Sequence, residues 1–301
     1  MNSMDLLIAF GAGIFGAAIG ALAAFEFVGL LVIAMAVTQI ITAAPSDFIQ
    51  FPFGFFGPHA GGFAAGVAAT AYAAKKGRLA SGRDITAGLS GLGAPDVLLV
   101  GGVFGALGYL IAWGLNKIPA FPTGLAWTDT VALTVVISGV IVRLLFGKTG
   151  LLGKPDAGIR RCYPPQDKCW MPYHSRTPQL SVLGLGIGLM AGYLGHSFGG
   201  NGALLAFGIS AFSLIFLHFN TQVPVSHHIA LPAALVAALS GSLIWAAIVG
   251  ILCALLGELI SRIFLVHGDT HIDPPAFTIV IMTTLVNLLG TIGFFTLLPL
   301  L

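Results

Sequence analysis

Residues 129–145, DTVALTVVISGVIVRLL, lie without a gap on residues 273–289, DPPAFTIVIMTTLVNLL, with eight of seventeen positions identical. Asp129 falls on Asp273 and Thr134 on Thr278. Other matches follow in the same order. HAGGFAAGVAA at 59–69 lies on HIALPAALVAA at 228–238, pairing His59 with His228. Just upstream, FIQFP at 48–52 mirrors NTQVP at 220–224, pairing Gln50 with Gln222 and Pro52 with Pro224. Near the start, Gly11, Gly13 and Gly20 match Gly186, Gly188 and Gly195. Self-similarity in a fixed order is the sequence signature of a duplicated unit.

Composition sets the solvent for that unit. The 301-residue chain is 57% hydrophobic and only 8% charged, with a mean hydropathy of +0.97. A soluble domain carries about 25% charged residues, so this chain lacks a polar shell for water. Its apolar runs are continuous rather than alternating, which favours membrane helices over a membrane β-barrel. A crossing helix needs roughly 20 apolar residues. Ten candidates occur: 5–24, 27–44, 60–75, 96–116, 129–146, 179–197, 202–219, 229–241, 243–265 and 275–297. The third and eighth are short for a crossing, and they are repeat mates.

The basic residues test the count. Lys75, Lys76, Arg78, Arg83, Arg143, Lys148, Lys154, Arg160, Arg161, Lys168, Arg176 and Arg262 all fall on one side of a ten-span arrangement, and only Lys117 on the other. The positive-inside rule makes the basic side cytoplasmic and puts both termini outside. The expected fold is therefore an all-α polytopic membrane protein of two five-helix repeats, 1–147 and 178–301, joined by a basic linker at 148–177. Five is odd, so the second repeat enters the membrane from the opposite face. The expected location is the plasma membrane of a prokaryote.

Chemistry is expected near the middle of the membrane, where short or broken helices of paired halves meet. Each short span follows a Pro-containing approach, PSDFIQFPFGFFGPH or NTQVPVSHH. Backbone of that kind cannot face lipid, because its N–H and C=O groups would go unpaired. Spans three and eight are thus expected as half-helices with His59 and His228 at tips that point inward. Helix N-termini carry partial positive charge and free N–H donors, which favour anions. His59 and His228 either bind solute or only cap their helices. His227 has no ionisable mate, since Pro58 stands at its repeat position. Gln50, Gln222 and Asn201 complete the expected binding set.

Glu26, whose repeat position holds Asn201, and Asp47 are the candidate carboxylates for ion or proton coupling. Glu26 equally fits an interfacial hairpin, and Asp47 a cap. Asp129 and Asp273 fit helix N-caps. Glu258 is placed to pair with Arg262 four residues on. The 41 glycines suit close helix packing in a bilayer. Cys162 and Cys169 are too far apart for a CxxC motif, and neither a phosphate loop nor HExxH or paired CxxC occurs.

The arrangement is similar to secondary transporters with inverted repeats and two discontinuous helices. In site geometry it resembles the seven-plus-seven nucleobase and anion transporters, with five helices per repeat instead of seven. The functional expectation is a permease for a small solute or ion, with alternating access about a site between spans three and eight. A channel on the same scaffold and a non-transporting subunit of a larger complex are the alternatives. Neither enzyme chemistry nor a cofactor is expected. The expected partners are the solute, the bilayer and further copies of the chain in a homo-oligomer, without nucleic acid.

Overall fold

The computed structural model describes residues 3–297. Among them the fold is helical throughout, with no β-strand and only one isolated bridge, between Gly82 and Thr270. The α-helices are α1 Ser3–Ile19, α2 Ala21–Thr42, α3 Ala64–Lys75, α4 Pro95–Leu115, α5 Thr130–Phe146, α6 Thr177–Phe212, α7 His227–Ser240, α8 Leu243–Ile260 and α9 Pro274–Thr291. Helix α6 is broken at Gly199, whose φ of 57° and ψ of −135° no residue with a Cβ adopts readily. The bend is sharp: a Cβ on Gly202 would collide with the carbonyl of Leu194. Gly20, at φ 98° and ψ 148°, separates α1 from α2. A helical segment therefore stands at each of the ten positions expected from the sequence. Five stretches are long and apolar enough to cross a membrane: Ala21–Thr42, Pro95–Leu115, Thr177–Phe219, Leu243–Leu265 and Pro274–Thr291. The outer faces expose large apolar side chains such as Leu7, Ile41, Val182 and Ile244. Extensive apolar exposure of this kind is consistent with a membrane protein and costly in water.

The same bonds build both halves. Asp129 Oδ1 accepts from the Ala132 N–H at 2.8 Å, and Asp273 Oδ2 accepts from the Ala276 N–H at 2.8 Å, so both aspartates are N-caps. One turn on, Thr134 Oγ1 donates to the Thr130 carbonyl at 2.8 Å, and Thr278 Oγ1 to the Pro274 carbonyl at 2.9 Å. Each pair is 144 positions apart. Glycine contacts repeat too. Helix α1 packs on α4 where Gly13 meets Gly105, and α6 packs on α8 where Gly188 meets Gly250, with backbone against backbone in both.

Helices α5 and α9 bind each other reciprocally. Arg143, near the end of α5, donates from Nη2 to the Thr270 carbonyl before α9 at 2.7 Å. Asn287, its repeat mate near the end of α9, donates from Nδ2 to the Ala126 carbonyl before α5 at 2.8 Å. Thr270 and Ala126 are again 144 positions apart. The end of each helix thus meets the start of the other, so the two run antiparallel.

The loops after α3, α5 and α8 gather at one end of the bundle. Arg83 Nη1 donates to the Val266 carbonyl at 2.9 Å, the Lys148 N–H to Asp269 Oδ2 at 2.6 Å, and Arg262 Nη1 to the Cys162 carbonyl at 3.1 Å. Arg262 also pairs with Glu258 at 2.8 Å, the i, i+4 contact expected from their spacing. The loop bearing Lys117 lies at the other end, where Thr123 and Thr291 hydroxyls meet at 2.9 Å.

Candidate functional site

Four helices begin at one cavity of about 930 Å³. Pro58 and Phe63 from the approach to α3, Asp129 at the start of α5, His227 at the start of α7 and Asp273 at the start of α9 all line it. Five pairs of repeat-equivalent positions contribute to its wall: Pro58 and His227, Asp129 and Asp273, Val131 and Pro275, Ala132 and Ala276, Val135 and Ile279. Its size falls in the range of about 300–1,000 Å³ typical of small-molecule sites.

The wall is graded. Deep in it stand the rings of Phe25, Phe63 and Phe207, with Phe25 4.7 Å and Phe207 6.0 Å from the His227 ring. His271 Nε2 lies 3.1 Å from Asp273 Oδ1, and its ring meets Phe63 edge to face at 5.7 Å. Exposed residues of the loops after α3 and α5, among them Arg83, Asp84, Lys154 and Lys168, form the mouth. The cavity therefore opens at the end where those loops gather. Beside that mouth, burial lifts the Asp269 carboxyl, but hydrogen bonds from the Lys148 N–H and the Thr149 hydroxyl, with the Arg143 charge, outweigh it and hold it below the usual carboxylate range.

The expected site residues do not gather there. His59 is 1% exposed and outside the cavity wall, with Nδ1 unpartnered. It also differs from the expected helix tip: α3 begins five residues later, at Ala64, because Ala64 and Ala65 donate their N–H groups to the Pro58 and Ala60 carbonyls in a run of turns. His228 is the second residue of α7, buried beside Gly257 and facing a small void with Trp170, His174 and Glu258. Gln50, Gln222 and Asp47 are exposed, and Asn201 is half-buried just beyond the Gly199 break. Glu26 is buried next to that cavity without lining it; its Oε2 lies 3.1 Å from His218 Nε2, and Oε1 has no partner.

His227, His267 and His271 are the cavity imidazoles, and none of them is in the expected site. His227 was set aside for lacking an ionisable mate, yet its mate Pro58 shares the wall. The signal for His271 is its place two residues before the Asp273 cap, where the chain enters α9 from the cavity. Asp129 and Asp273 are caps, as their positions imply, and wall residues as well. Among the described residues no group of three or more His, Cys, Asp or Glu is placed to hold a metal ion.

The chain belongs to a family of unknown function (DUF7973). The family model matches residues 1–169 and residues 160–299. No protein of curated function and no solved structure matches the chain.

Proposed function

We propose that this DUF7973 member is a secondary transporter of a small solute, with ten crossing segments in two inverted repeats of five. The observation that carries the reading is the cavity wall built from repeat-equivalent positions of both halves. When two similar halves of opposite orientation flank one site, exchanging their conformations opens that site to the other side. The antiparallel contact of α5 with α9 and its reciprocal Arg143 and Asn287 bonds support the inversion. The gathered loops carry most of the basic residues, so the positive-inside rule makes the open end cytoplasmic. On that reading the cavity is the inward-facing state of a carrier. The solute would sit against the starts of α3, α5, α7 and α9, with Asp129, His227, His271 and Asp273 as the polar contacts.

Purified protein in sealed vesicles tests the proposal with a panel of small organic cations, anions and neutral solutes. Saturable counterflow of one of them is the expected result. Unsaturated flux with single-channel currents would make it a channel and overturn the carrier.

A further inference from the structure

We infer that the cavity's ligand is a monovalent organic cation with an apolar body, held by the carboxylate of Asp129 and the faces of Phe25 and Phe63. This rests on the carrier reading and adds the class of solute.

The charges on the wall differ with depth. The arginine and lysines that reach it, Arg83, Lys154 and Lys168, are exposed at the mouth, where acids stand among them and Lys168 pairs with Asp156 at 3.8 Å. Deeper in, the wall carries Asp129 and Asp273. His271 stands against Asp273 at 3.1 Å, while Asp129 forms no ion pair among the described residues. The N-cap bond of Asp129 comes from a backbone amide, which leaves its charge without a counter-ion. A carboxylate beside apolar walls, shielded from bulk water, recruits a cation.

The remaining wall fits such a guest. Aromatic faces attract a cation within about 6 Å of the ring centre. His227, 6% exposed, forms part of the wall, and its Nδ1 is buried without a partner. The rival guest is an anion at the helix starts. Several of the amides it needs are already engaged: Ala64 and Ala65 donate to Pro58 and Ala60, Ile229 and Ala230 to Ser226, and Ala132 and Ala276 to their aspartate caps.

The test is calorimetric titration of the purified full chain with phenyltrimethylammonium and with benzenesulfonate, two soluble probes of similar body and opposite charge. The expected result is a preference for the ammonium of about tenfold or more, the scale of one partly desolvated charge pair. Asp129→Asn, which retains a capping side chain, should remove that preference. Asp84→Asn at the mouth should keep it. Phe25→Leu should weaken the ammonium alone, and it decides the matter if Asp129→Asn does not fold. Equal or tighter sulfonate binding, a preference that survives in Asp129→Asn, or no binding of either probe would overturn the inference. Counterflow of sulfonate in vesicles would overturn the cation and keep the carrier. Ammonium binding without flux of either probe would keep the cation site and overturn the carrier.

Discussion

Replacing Arg143 with Met keeps the unbranched apolar stem of the side chain and removes every donor. The side chain is 1% exposed. It donates from Nε to Thr270 Oγ1 at 2.6 Å, from Nη2 to the Thr270 carbonyl at 2.7 Å and the Phe264 carbonyl at 3.1 Å, and from Nη1 to the Leu151 carbonyl at 3.1 Å. A hydrogen bond to a charged group contributes about 1.5–3 kcal/mol, and an acceptor left buried costs about as much again. The sum is an overestimate here, because Leu151 is exposed and its carbonyl regains water. The expected loss is about 3–5 kcal/mol of unfolding free energy, most of it from the paired contacts at Thr270. Asn287→Ala, at the repeat-equivalent position, removes one neutral bond to Ala126 and should cost about 1 kcal/mol. Arg143→Lys should fall between them, since an ammonium cannot reach acceptors on both sides as a planar fork does. Equilibrium unfolding in mixed micelles, followed by near-ultraviolet dichroism, measures all three. An Arg143→Met variant within about 0.5 kcal/mol of wild type, the range of ordinary surface substitutions, would refute the reasoning. So would Asn287→Ala costing more than Arg143→Met.

Three further outcomes are expected. Alanine at Gly13 or at Gly188 should destabilise by a similar amount, about 1–3 kcal/mol each, because each Cβ would press on facing backbone of α4 or α8 within 3.0 Å; thermal melting checks both. The lowered Asp269 carboxyl makes a stabilising contribution that is complete above the ordinary carboxylate range and lost as pH falls through its lowered value, so Asp269→Asn should flatten that part of an acid unfolding curve. Cysteines at residues 80, 120 and 165 in sealed cells should label from inside, outside and inside; Ala80 and Ala120 reporting the same side would break the ten-span count.

The helical segments were legible because hydrophobic length and punctuation act locally. The Asp129 and Asp273 caps, the Pro274 start and the glycine contacts of α1 with α4 all follow from residue type at a fixed spacing. The break at Gly199 falls in the gap left between the sixth and seventh expected spans. The site was harder to read because its members meet through tertiary packing. His59 and His228 drew attention by their pairing, yet a pairing in sequence fixes equivalent positions, not which way a ring faces. His59 lies in turns before α3, where its own carbonyl presses on Gly108 of α4. Pro58, one residue earlier, reaches the cavity instead, and so does its mate His227. His271 is set by the entry of the chain into α9, and its one local mark is its place two residues before the Asp273 cap. Glu26 is buried, and its partner His218 lies 192 positions away, beyond any local pattern.

The central claim is that this cavity communicates with both sides of the membrane in turn. Ala132 is buried at the cavity wall, and cysteine fits there with little strain. A membrane-impermeant thiol reagent applied separately to each face of sealed vesicles reports its exposure in an Ala132→Cys protein cleared of its native cysteines. Labelling from either face is the predicted result, faster from the side of the basic loops. Labelling confined to that side, however long the exposure, would contradict alternating access and leave a blind pocket.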